Sequence, residues 1–247
     1  MVLKNRRQCL SLDHLKLLFQ LLSLGEEYFA YRIALPGLGG TGNLLAPFPE
    51  EMGNDNAQVL PLPMTGKQDY VTLTTYVEEL LPNEPFILVA ESFSGPIAAR
   101  ICLREIDNLK GIFFVATFLS NPNPFLLSIV KFFPLKFLAK MPFSSVALRK
   151  FLLGNKADEH LLNLFRNALE KVPSDILKAR LRTLETVRLN ISNISIPTCY
   201  IFPDNDRLIS KSKVSEFKAC FNTIEIKSFE GPHFILQSNP FGAHQFY

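Results

Sequence analysis

Short apolar runs alternate with amphipathic segments at both ends of this chain. Tyr28 to Leu35, Gln58 to Leu62, Phe86 to Ala90, Gly111 to Ala116, Thr198 to Phe202 and Thr223 to Ile226 have the length and composition of strands. Ile112, Phe113, Phe114 and Val115 are apolar without a break, as in a strand covered on both faces. Between these runs, Thr72 to Leu81 places Leu73, Tyr76, Val77 and Leu80 on one helical face and stops at Pro82. Gly95 to Arg104 and Ser212 to Cys220 read as further helices. The alternation predicts an α/β fold: a mostly parallel, doubly wound sheet with helices on both sides.

The alternation stops from Thr117 to Ile196. Four helical segments replace it, at 125–140, 145–153, 158–172 and 174–189, which predicts a helical lid inserted into the sheet domain. The expected organisation is an N-terminal helical extension (1–27), a core in two pieces (28–117 and 197–247) and a lid (118–196). The N-terminal segment is basic at Lys4, Arg6 and Arg7 and then apolar from Leu10 to Leu24, as a secretory signal would be. Asp13, His14 and Lys16 interrupt it, no small-residue cleavage site follows cleanly, and Leu10, Leu15, Leu18, Phe19 and Leu22 recur at helical spacing. An amphipathic helix packed on the domain is the reading preferred. No run of 18 apolar residues occurs, so no membrane-spanning helix is expected.

Composition narrows the function classes. The chain has 247 residues, 47% apolar and 20% charged, as in one large domain carrying an insertion. A net charge of +3 argues against a dedicated nucleic-acid binder. Cys9, Cys102, Cys199 and Cys220 are far apart and form no C-x-x-C pair. Neither a zinc site nor a disulfide framework is expected, no other metal or cofactor is called for, and a reducing, cytoplasmic setting fits best. Nothing in the sequence fixes an oligomeric state.

The candidate chemistry begins at Ile87 to Ala99, where an apolar run ends at small residues and an Ala-rich helix follows at once. Ser92 sits in the turn. A turn that holds one hydroxyl proud of the backbone crowds its neighbours, and Ala90, Ser94 and Gly95 are small enough. The usual pattern is G-x-S-x-G; here Ala90 replaces the first glycine, Ser94 stands in the second position, and Gly95 follows one later. An ordinary strand-to-helix turn with a solvated serine is the competing reading.

A serine nucleophile needs a base, and the base needs an acid that fixes its tautomer. Of four histidines, His14 falls in the N-terminal helix, His160 in the lid and His244 in the C-terminal tail. His233 alone sits in a loop after a sheet strand, where open parallel sheets gather their ligand-facing groups. Strand 198–202 runs into a turn carrying Asp204 and Asp206, and either could be the acid; a purely structural Asp turn is the third reading. A Gly-rich loop, Gly37 to Gly42, follows the first strand. Two prolines between Asn43 and Pro49 argue against the helix that a dinucleotide loop must open. A loop presenting backbone N–H groups to an oxyanion fits better.

Taken together, Val89 to Pro96, Leu35 to Gly42, Asp206 to Ile209 and Gly231 to Phe234 resemble the motifs of the α/β-hydrolase superfamily, in the order Ser, Asp, His. The resemblance covers about residues 30–240 and is closest to small bacterial hydrolases with a lid. It implies that Ser92, Asp206 and His233 are catalytic, with Asp204 as the fallback acid, and that the Leu38 and Phe93 N–H groups form the oxyanion hole. Many relatives carry His-Gly where this chain has Pro36-Gly37. Ser92 at the elbow argues against dehalogenases and epoxide hydrolases, which carry Asp there. The antiparallel edge hairpin common in the superfamily has no counterpart in the first 27 residues. The segment from Phe125 to Lys140 is apolar with spaced lysines, so it either covers an apolar pocket or also makes a weak contact with anionic membrane surfaces. The expected activity is hydrolysis of a small-molecule ester or thioester with an apolar acyl group. Acyl transfer, C–C bond hydrolysis on the same triad and a non-catalytic binding protein on this fold are the alternatives.

Overall fold

The computed structural model describes residues 30–46, 48–51, 57–124, 127, 136, 141, 144–155 and 157–238. In chain order these form β1 (Tyr31–Leu35), the short α1 (Phe48–Glu51), β2 (Ala57–Val59), α2 (Tyr70–Glu78), β3 (Phe86–Glu91), α3 (Gly95–Cys102) and β4 (Leu109–Val115). There follow α4 (Ser144–Leu148), α5 (Glu159–Glu170), α6 (Ser174–Thr186), β5 (Thr198–Pro203), α7 (Val214–Cys220), β6 (Ile224–Phe229) and α8 (Ile235–Ser238). The expected N-terminal helix, His14 and His244 lie outside the described residues, as does most of the segment 125–140 that carried the membrane-contact expectation.

Among the described residues the sheet has six strands in the order β2-β1-β3-β4-β5-β6, and every pair is parallel. Each strand matches a run expected from the pattern, with ends displaced by a few residues. β3 is buried at all six positions and β4 at six of seven, which is why neither run alternates in polarity. One face packs Leu88, Phe114 and Tyr200 against α2, α3 and α7; the other packs Val89, Phe113 and Ile201 against Phe48 and α8. Two helices begin on the aspartates that precede them: the Asp69 side chain accepts from the Thr72 N–H, and Asp158 from the Leu161 N–H.

Parallel strands share a direction, so β1, β3, β5 and β6 all deliver their following loops to one edge. Leu35 pairs with Ala90 and Pro203 with Phe229, so the Gly-rich loop, Ser92, the Asp turn and the His233 loop leave the sheet side by side. The stretch between β4 and β5 supplies α4, α5 and α6. The first of these runs into a π-helical turn at Arg149–Leu153.

α3 enters so close to the end of β4 that Gly95 has no room for a side chain. A Cβ there would lie 1.9 Å from Thr117 Oγ1, and this hydroxyl donates to the Ser92 carbonyl. Gly95→Ala therefore forces the turn and β4 apart. It is expected to cost on the order of 1–3 kcal/mol in urea unfolding; a variant as stable as the wild type would contradict this packing.

Candidate active site

Ser92 has φ 49°, a left-handed backbone that a residue with a side chain rarely adopts. The turn is held from both sides. Thr117 donates to the Ser92 carbonyl, and the Ser94 hydroxyl donates to the Pro36 carbonyl across the cleft. Ser94, in the place of the usual glycine, thus ties the elbow to the Gly-rich loop.

The loops after β5 and β6 are laced together by backbone bonds. The Asp204 N–H donates to the Phe229 carbonyl at 2.8 Å and the Asn205 N–H to that of Gly231 at 3.0 Å. This sets Asp206 opposite His233, whose Nδ1 lies 2.8 Å from Asp206 Oδ2. The other carboxylate oxygen accepts from the Leu208 and Ile209 N–H groups at 2.8 and 3.0 Å, so the carboxylate cannot swing. Asp204 points elsewhere: it is exposed and accepts from the Ser228 hydroxyl. His233 Nε2 lies 2.9 Å from Ser92 Oγ. An acceptor-only carboxylate on Nδ1 requires the proton there, which leaves Nε2 free to accept from the serine. The line Ser92–His233–Asp206 can therefore draw a proton from the hydroxyl and hold the resulting imidazolium. His160 sits exposed on α5 and takes no part.

Sequence reasoning passed over three residues here. Thr117 is one. Glu91 precedes the serine and is buried, with Oε1 unpartnered among the described residues while the Gly37 N–H donates to the carboxylate. Burial pushes its pKa up, against the opposing pull of the Gln237 side chain, His233 and that N–H. Its only sequence signal is an acidic residue inside an apolar run. The third is Arg180 of α6, whose guanidinium reaches the Gly-rich loop. For His233, burial disfavours the imidazolium, but the charges of Asp206 and Glu91 and the Asp206 hydrogen bond outweigh it and raise the pKa above 6.5. Burial pushes the Cys102 and Cys199 thiols up to about 12, so both are packed, unreactive groups.

Ser92 opens into a cavity of about 320 Å³. Its wall includes Leu38, Phe93, Phe118, Leu148, Phe165 and Leu208, and among the described residues only Glu91 and His233 on it are ionisable. No group of three or more potential metal ligands occurs among the described residues, and no described helix is long and apolar enough to cross a membrane.

An all-parallel sheet with these loops at one edge is the architecture of an α/β hydrolase. The chain belongs to the family Hydrolase_4, described as serine aminopeptidase, S33, which it matches over residues 65–232. The fold is shared with a lipase-esterase related protein from Clostridium acetobutylicum (TM-score 0.70, 18% identity, covering 86% of this chain and 90% of that one). It is shared as well with an esterase from Exiguobacterium antarcticum (0.69, 14%, 83% and 85%) and with the enol-lactonase from Burkholderia xenovorans (0.67, 14%, 83% and 85%). No curated protein matches the sequence.

The raised pKa has a measurable consequence. An NMR titration of the His233 imidazole should have its midpoint above 6.5 in the wild type. Asp206→Asn should lower that midpoint, because the carboxylate that favours the charged ring is gone, whereas Asp204→Asn should leave it in place. A shift with Asp204→Asn alone would reverse the assignment. Because the base must be neutral to accept a proton, kcat/KM of the wild type should rise with pH through the same midpoint.

Proposed function

We propose that the protein is a serine hydrolase that cleaves a carboxylic ester or thioester with an apolar acyl group through an acyl-enzyme. The observation that carries this reading is the hydrogen-bonded line Asp206–His233–Ser92 ending at the wall of an apolar cavity. Ser92 Oγ attacks the carbonyl carbon as His233 Nε2 takes its proton. The carbonyl oxygen becomes an oxyanion and is stabilised by the N–H groups of Leu38 and Phe93. Collapse breaks the bond to the alcohol or thiol, which leaves with the proton from His233. Water, deprotonated by the same nitrogen, then attacks the acyl-serine, and the carboxylic acid departs as Oγ recovers its proton. The helices between β4 and β5 act as a lid that keeps the acyl group out of water.

Ester substrates suit this site better than a peptide N-terminus. An ammonium group bound there would need a carboxylate partner. Residues 108–157, which include β4 and α4, contain no Asp or Glu, and burial disfavours the charged form of Glu91, the one carboxyl on the cavity wall among the described residues. The names of the solved relatives (an esterase, a lipase-esterase related protein, an enol-lactonase) accord with ester chemistry. Acyl transfer remains the second reading on the same intermediate, and an added alcohol distinguishes it by diverting the acyl group from water.

Ser92→Ala should lower kcat for p-nitrophenyl esters by at least about 10³-fold without loss of folded structure. Across a series of acyl esters and thioesters, straight apolar chains should be preferred and chains ending in a carboxylate rejected. Undiminished turnover by Ser92→Ala would remove the nucleophile, and a preference for the charged chains would remove the apolar acyl site.

A further inference from the structure

The apolar stripe of α6 consists of Ile176, Leu177 and Leu184, and in the same stripe stands Arg180, with no exposed surface. A buried cation loses its hydration and must recover it from partners. Among the described residues no carboxylate pairs with Arg180; its partners are four neutral oxygens. Nε donates to Gln68 Oε1 at 2.9 Å and Nη2 to the Pro63 carbonyl at 2.9 Å. Nη1 donates to the carbonyls of Leu38 at 2.9 Å and Gly39 at 2.8 Å. Burial draws its pKa down to about 10, so the group stays charged near neutrality. The flat guanidinium also lies over the Phe93 ring, 5.9 Å from its centroid.

The Gly-rich loop is shaped around this side chain. A Cβ on Gly40, which has φ 70°, would lie 2.2 Å from Arg180 Nη1. Gln68, itself buried, is held by the carbonyls of Pro63, Thr65 and Gly66 and aims its oxygen at Nε.

Every carbonyl from Pro36 to Gly40 is thereby engaged. Pro36 accepts from Ser94, Gly37 from the Gly40 N–H, Leu38 and Gly39 from Arg180, and Gly40 from the Leu62 N–H. The Gly37 N–H is taken by Glu91, while that of Leu38 has no hydrogen-bond partner among the described residues. A glycine loop can easily rotate a peptide and put a carbonyl oxygen where an oxyanion must sit. Two of the five bonds that prevent this come from one side chain outside both the loop and the elbow.

We infer that Arg180 is the positioning residue of the oxyanion loop: its fork on the Leu38 and Gly39 carbonyls holds the Leu38 N–H free and aimed beside Ser92. The inference rests on the proposed serine hydrolase reading. It makes a helix between β4 and β5 part of the frame of the Gly-rich loop. A lysine cannot replace it, because a single ammonium lacks the planar fork that spans the two carbonyls and Gln68.

The test compares Arg180→Met and Arg180→Lys with the wild type and Ser92→Ala. It measures kcat and KM for p-nitrophenyl butyrate and, separately, amide hydrogen exchange in peptides covering 36–41 and 86–91. The expected result for Arg180→Met is a kcat loss of about 10–100-fold. KM should change by less than about threefold, because the group acts after binding. Exchange should speed up in 36–41 while β3 stays protected, and Arg180→Lys should fall between. A folded variant that keeps kcat within about twofold, or that loses kcat with loop exchange unchanged, overturns the inference. If Arg180→Met does not fold, Arg180→Lys decides by the same criteria. Ser92→Ala separates the two levels: full turnover in that variant defeats the serine reading and the oxyanion role with it. An inactive Ser92→Ala beside fully active Arg180 variants defeats only the role of Arg180.

Discussion

The left-handed backbone of Ser92 is the constraint on which the rest of the site depends. A non-glycine residue in that conformation costs on the order of 1–2 kcal/mol, and it persists only where its surroundings over-determine it. Here they do so at close quarters. Thr117, at the end of the neighbouring strand, takes the Ser92 carbonyl. Gly95 gives that threonine its space, and Ser94 reaches across to Pro36. The strain projects one hydroxyl from the edge of a parallel sheet toward the His233 imidazole in the loop after β6.

The second requirement is that every polar group around that hydroxyl be committed. Both oxygens of Asp206 are used, so the imidazole has one tautomer and one orientation. The carbonyls of the Gly-rich loop are used too, so none of them is left to turn toward Ser92, as the proposed oxyanion stabilisation requires. Such prior organisation is what makes backbone donors effective, because no rearrangement is needed when charge appears. Two buried charged-type groups stand out at the site. Glu91 is a buried carboxyl with one oxygen unpartnered among the described residues, and Arg180 is a buried cation whose partners there are all neutral.

The fold was largely legible in the sequence because parallel strands buried on both faces leave continuous apolar runs, and β3 to β5 are such runs. His233 was singled out by elimination, as the one histidine in a loop after an expected sheet strand, and the structure sets it between Asp206 and Ser92. The turn by itself does not separate Asp204 from Asp206, and only the motif resemblance favours Asp206; in the structure the backbone lacing between the β5 and β6 loops turns only Asp206 inward. Arg180 was not legible. In Ser174–Thr186 it sits among Lys178 and Arg182, and nothing local separates a cation in the buried stripe from its solvated neighbours. Its partners lie more than a hundred residues away, across a crossover that only the folded chain closes. The replacement of glycine by Ser94 looked like a tolerated departure, whereas in the structure its hydroxyl has a definite acceptor.

The proposed chemistry requires Ser92 to form a covalent bond to its substrate when served by His233. The most direct measurement is intact-protein and peptide mass spectrometry after exposure to an alkyl fluorophosphonate at neutral pH. One adduct per chain is expected, mapped to Ser92, with labelling slowed when His233 is replaced by Gln. No adduct on a folded protein, or an adduct on any other residue with Ser92 left free, would contradict it.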